Sequence, residues 1–120
     1  MTQSPPLRDA VRRLLQSHPD ISPSVAGHAG YIERYRTAKG LNIGLETRGE
    51  RHQNLYVEAD AVDLGRIGDI PHKVYLATDY DRARPNSNLF HVDAFRDVDI
   101  VRFKLSGLDQ AKQVLAAVLR

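Results

Sequence analysis

The segment Asp99 to Arg120 constrains the fold more than any other part of the chain. Val101, Phe103 and Leu105 alternate with Arg102 and Lys104, the period-two pattern of a half-buried strand over Ile100 to Leu105. Ser106 then stands where a helix cap belongs, with Asp109 three positions on, in the manner of a capping box with Asp for the usual Glu. From Leu108 to Leu119 the apolar residues Leu108, Ala111, Leu115 and Val118, joined by Val114 and Leu119, recur at helical spacing. Strand and helix therefore form one packed unit, the helix burying its stripe on the face that carries Val101, Phe103 and Leu105.

The same logic extends toward the N-terminus. Ser4-Pro5-Pro6 is a helix start, since Pro at the first helical position lacks an N–H that would be orphaned in any case. Leu7, Val11, Leu14 and Leu15 then mark a buried stripe, Arg8, Asp9, Arg12 and Arg13 a solvent face, and His18-Pro19 the end. Residues 19–30, with two prolines, two glycines and two serines, read as a connection with a helical turn around Ser24 to His28. Tyr31 to Thr37 reads as a strand. Leu41, Ile43, Leu45 and Thr47 alternate with polar neighbours, as do Leu55, Val57, Ala59 and Ala61, so these segments form an antiparallel hairpin across the polar turn Arg48 to Gln53. Asp63 to Pro71 connects, Lys73 to Tyr80 is a further strand, and Asp81 to Asp99 is irregular apart from a short helix containing Leu89, Val92 and Phe95.

The expected fold is thus α+β over residues 1–120 as a single domain: one mainly antiparallel sheet of four to five strands with an N-terminal and a C-terminal helix packed on one face. The opposite face is expected to be partly wet and to carry Asn42, Glu46, Arg48, Tyr56, Glu58, Asp60, Tyr75, Arg102 and Lys104.

Composition narrows the function classes. Cysteine is absent, which removes disulfides, a thiolate nucleophile and cysteine-based zinc sites. No apolar run is long enough for a membrane span and no secretory leader precedes the first helix, so a cytoplasmic protein without membrane contact is expected. A net charge of +2 is too small for a chain-wide nucleic-acid footprint, and any basic patch must be local. The basic residues are 13 Arg and 4 Lys, a ratio that favours forked, bidentate contacts and that GC-rich coding also produces.

Three groups of residues carry candidate chemistry. Tyr31, Arg34, Tyr35, Arg36 and Lys39 interleave aromatics with cations, the ingredients of base stacking and phosphate neutralisation, and Arg48, Arg51 and His52 in the neighbouring turn extend the positive patch. Arg82, Arg84, Asn86 and Asn88 form a loop rich in forked donors and amides, suited to phosphate or carboxylate. Glu46, Glu58, Asp60 and Asp79 with Arg102 and Lys104 resemble the ingredients of a metal-dependent nuclease, but no Lys follows an acid at the two-residue spacing of the PD-(D/E)XK enzymes. Asp79, Asp81, His91 and Asp93 match no metal motif, and no H-E-x-x-H, nucleophile elbow, Walker loop or G-x-G-x-x-G is present.

No motif points to a family. The expectation is a non-catalytic binding or regulatory domain, without cofactor or metal, that contacts nucleic acid or a protein of a nucleic-acid-processing system through Tyr31, Arg34, Tyr35, Arg36, Lys39, Arg48, Arg51, Arg82, Arg84, Asn86 and Asn88. The alternatives are a metal-dependent nuclease or phosphodiesterase with a degenerate acidic site, and a homodimeric protein-interaction module.

Overall fold

Six strands form one antiparallel sheet in the computed structural model, which describes residues 6–29, 31–49, 52–77 and 98–118, with the backbone alone at 25–29. The elements are α1 (Pro6–Ser17), β1 (Ile21–Ala29), β2 (Ile32–Thr37), β3 (Asn42–Glu46), β4 (Gln53–Glu58), β5 (His72–Tyr75), β6 (Ile100–Leu105) and α2 (Leu108–Ala116). The strand order is β1-β2-β3-β4-β6-β5: the first four strands form a meander, and β6 inserts between β4 and β5. The sheet is therefore two strands larger than the lower expected count and one larger than the upper.

The added strand is β1. Its sequence, Ile21-Ser22-Pro23-Ser24 and onward, has the composition of a loop, but an edge strand tolerates proline because one side of its backbone needs no partner. Among the described residues it pairs only with β2, and its register slips between Pro23 and His28. The β2–β3 hairpin turns at Gly40, whose φ of +82° belongs to the left-handed region that glycine enters at low cost. Within that turn Thr37 receives the Gly40 N–H on its carbonyl and the Leu41 N–H on its hydroxyl.

Both helices cover the same sheet face. Val11 and Leu15 of α1 and Ala111, Val114 and Leu115 of α2 pack with Tyr35, Ile43, Leu45, Leu55, Val57, Val101, Phe103 and Leu105 in one buried cluster. Each buried Leu, Ile or Val contributes about 1.5 to 3 kcal/mol by leaving water, so this layer dominates stability. Phe103 lies at its centre, fully buried. The predicted strand–helix unit at the C-terminal end is present, with two adjustments. The cap of α2 is Gly107 rather than Ser106, and Gln110 reaches back to accept from the Ser106 N–H at 2.7 Å. The helix closes at Ala116, after which Val118 pairs with Val62.

Three further expectations change. The second hairpin strand ends at Glu58, because residues 59–61 wind into a short 3-10 turn that the alternation of Ala59 and Ala61 conceals. Arg8 is buried at 5% exposure instead of facing solvent, because the β3–β4 turn lies over it and supplies acceptors. The face opposite the helices is dry at its centre: Ile32 and Ile100 are fully buried, Tyr56 is 1% exposed and Tyr75 3%. The acids beside them are satisfied by neighbours. Glu58 accepts from the Asn42 backbone at 2.5 Å and the Asn42 amide at 2.7 Å, and Glu46 accepts from the Asn54 amide at 2.6 Å.

Candidate functional site

Beyond the dry centre, this face reaches the end of the sheet where β3 turns into β4. A cleft of about 510 Å³ opens there, lined by Glu46, Arg48, Gly49, His52, Asn54, Arg102 and Lys104. The register explains the gathering. Asn54 faces Lys104 and Tyr56 faces Arg102 across the β4–β6 pair, while Glu46 stands one step beyond the Leu45–Leu55 pair and so beside Asn54. Glu46, Asn54 and Lys104 thus form one transverse row, and Arg102 begins the next.

Charge is lopsided in this cleft. Among the described residues none of Arg48, Arg102 and Lys104 is in an ion pair, and Arg102 Nε is shielded from solvent without a hydrogen-bond partner. Glu46, 6% exposed, takes hydrogen bonds from Asn54 and, at 3.4 Å, from the Tyr56 hydroxyl. Cations held on a strand and a turn, outside ion pairs among the described residues, suit an anion. The Arg48 guanidinium also lies 4.5 Å from the ring centroid of Tyr31, which stays 48% exposed at the rim, and Thr47 fixes this corner by donating its N–H to the Tyr31 carbonyl at 2.7 Å. Arg102 is steadied from the other side, 5.7 Å from the Tyr75 ring.

The turn that carries Arg48 and His52 is anchored through the sheet by α1. Arg8 donates from Nη2 to the Gly49 carbonyl at 2.6 Å and from Nε to Gln53 Oε1 at 3.0 Å, and Gln53 donates its own amide to the Glu46 carbonyl at 2.6 Å. Burial, with Arg12 nearby, lowers the Arg8 guanidinium from its ordinary pKa. The adjacent Arg12 is bound instead to carboxylates, Glu33 at 2.6 Å and Asp9 at 2.7 Å, and the Glu33 hydrogen bond raises its pKa. Glu33 in turn accepts from the Tyr35 hydroxyl at 3.1 Å.

The sequence-predicted residues are distributed as follows. Arg48 lines the cleft and Tyr31 stands at its rim. Arg34 and Arg36 project from β2 on the cleft's side of the sheet, opposite Gly44 and Asn42, with Arg36 exposed. Tyr35 is buried on the helix side, and Lys39 sits in the β2–β3 turn at the other end of the hairpin. Arg51, Arg82, Arg84, Asn86 and Asn88 lie outside the described residues, as do Asp79, Asp81, His91, Asp93 and the expected helix to Phe95. The described acids do not assemble: Glu46 is in the cleft, Glu58 is engaged by Asn42 and Asp60 follows β4 in the 3-10 turn. Among the described residues no group of three His, Asp or Glu side chains is placed to hold a metal ion, and no helix is long and apolar enough to cross a membrane.

Sequence reasoning placed Arg102 and Lys104 on the correct face but left them out of the binding set. The missing information was strand order, since only the insertion of β6 beside β4 brings them to Arg48. In comparisons with known proteins, no family model matches the chain, and neither a curated protein nor a solved structure matches it.

Proposed function

We propose that this protein is a non-catalytic domain that binds single-stranded nucleic acid at the cleft between the β3–β4 turn and β6. The observation that carries the reading is the convergence of Arg48, Arg102 and Lys104, none of them in an ion pair among the described residues, beside the exposed Tyr31 ring. Cations neutralise backbone phosphates, and an aromatic side chain at the rim offers a surface for a base, the combination used by single-strand binders. Arg36, exposed on the same sheet face, extends the positive charge along β2. A metal nuclease is less well supported, because Glu58 already spends its carboxylate on Asn42.

The test is fluorescence anisotropy of a labelled oligonucleotide of about twelve nucleotides, a length within single-strand site sizes, titrated across salt concentrations. Three phosphate contacts give a slope of log affinity on log salt near −2, at about −0.7 per contact. Arg48→Ala should reduce that slope by about 0.7, and Tyr31→Ala should weaken binding by about 1 to 3 kcal/mol with the slope unchanged. A slope of zero, or wild-type binding by both variants, overturns the proposal.

A further inference from the structure

The described lining of the cleft carries more positive charge than an internal phosphodiester can match. Its described lining residues bring three cations, Arg48, Arg102 and Lys104, against the single carboxylate of Glu46, a surplus of two. The carboxylate is occupied by the Asn54 amide and the Tyr56 hydroxyl and forms no ion pair with those cations. A phosphodiester carries one negative charge; a phosphomonoester carries nearly two at neutral pH, because its second proton leaves near pH 6. It also presents three terminal oxygens instead of two.

We propose that the cleft receives a phosphomonoester, the terminal phosphate of a nucleic-acid strand, in preference to an internal phosphate; this rests on the function proposed above. Arg102 and Lys104 are alternate residues of β6 on one face, about 7 Å apart along the strand, so both side chains reach one tetrahedral group from below. Arg48 approaches from the turn, where its guanidinium also touches Tyr31. The three cations thus address three oxygens, Arg102 through the terminal nitrogens of its guanidinium, since its Nε is shielded from solvent. The volume, about 510 Å³, lies in the range of small-ligand sites and admits one end nucleotide, with Tyr31 at the rim beside its base.

The experiment is competition anisotropy on the full chain with four unlabelled oligonucleotides of one sequence: 5′-phosphorylated, 3′-phosphorylated, hydroxyl-ended and circular. One of the two phosphorylated forms should compete about tenfold better than the hydroxyl-ended and circular forms, as an additional charge in a partly desolvated site implies. Lys104→Ala, and independently Arg102→Gln, should shrink that ratio below about threefold while the circular form is affected less. A nucleoside monophosphate competing as well as the phosphorylated strand supports phosphomonoester binding and identifies the free nucleotide as its source. Equal competition by all four forms, with the salt slope intact, overturns this inference and leaves single-strand binding standing. Failure of every probe to bind overturns both.

Discussion

Arg8 and Gly49 are joined across the sheet by a 2.6 Å hydrogen bond from the guanidinium Nη2 to the backbone carbonyl, linking a buried cation of α1 to the turn that forms one wall of the cleft. Arg8→Met therefore removes two donors at once, orphaning the Gly49 carbonyl and Gln53 Oε1. Hydrogen bonds to a charged group are worth about 1.5 to 3 kcal/mol each, and the expected loss of unfolding free energy is about 3 kcal/mol in urea titration. Arg8→Lys should recover only part of that loss, because a single ammonium lacks the fork that serves both acceptors.

Gly49 has a φ of +91°, a conformation that a side chain disfavours, yet a Cβ there would meet nothing nearer than the His52 carbonyl at 3.7 Å. The cost of Gly49→Ala is therefore backbone strain, about 1 to 2 kcal/mol, relieved by a shift of the turn that carries Arg48. Gly40→Ala is the control: the same left-handed φ, open space around the Cβ, and a position at the opposite end of the hairpin. Both variants should lose similar stability by thermal melting. Only Gly49→Ala should weaken oligonucleotide binding by anisotropy.

Tyr35 makes stability fall at alkaline pH. Burial, followed by the charge of Glu33, pushes its hydroxyl up to about 12. An unfolded tyrosine releases its proton near pH 10, so the folded state's contribution is complete below about pH 10 and is lost as the pH rises through 12. The two-unit difference corresponds to about 2 to 3 kcal/mol across that window. In Tyr35→Phe the corresponding drop should vanish, while stability at neutral pH falls by about 1 kcal/mol for the lost bond to Glu33. Identical alkaline profiles for wild type and variant in urea titrations between pH 9 and 12 would refute the assignment.

What the sequence made legible follows from where local pattern suffices. The alternation around Phe103 and the helical spacing of Leu108, Ala111 and Leu115 specify a strand and a helix without outside help, and both are found within a few residues of their expected bounds. β1 was illegible because Pro23 and its serines match a loop, and only an edge position with one neighbour makes such a strand permissible. Arg8 was misassigned because its partners lie more than forty residues away, and nothing in a helical wheel distinguishes a solvated arginine from one capped by a distant turn. The partly wet face holds at Asn42, Arg48, Arg102 and Lys104 but is drier than expected at Glu46 and Glu58 for a related reason: period-two patterning places those carboxylates on a side, while Asn54 and Asn42 decide whether they can lie out of water. Of the residues around the candidate cleft, Arg48 and Tyr31 stand out by residue type alone, whereas Arg102 and Lys104 join them only through the strand order.

The placement of β6 between β4 and β5 sets the order of events on the ribosome. Among the described strands β5 pairs with β6 alone, so that pairing cannot form until β6 has been synthesised, and β4 meanwhile lacks the neighbour that covers its edge. Ile100–Leu105 acts as the keystone: its arrival joins β4 to β5 and supplies Arg102 and Lys104 to the cleft, so a nascent chain halted before it is incomplete both as a sheet and as a cleft.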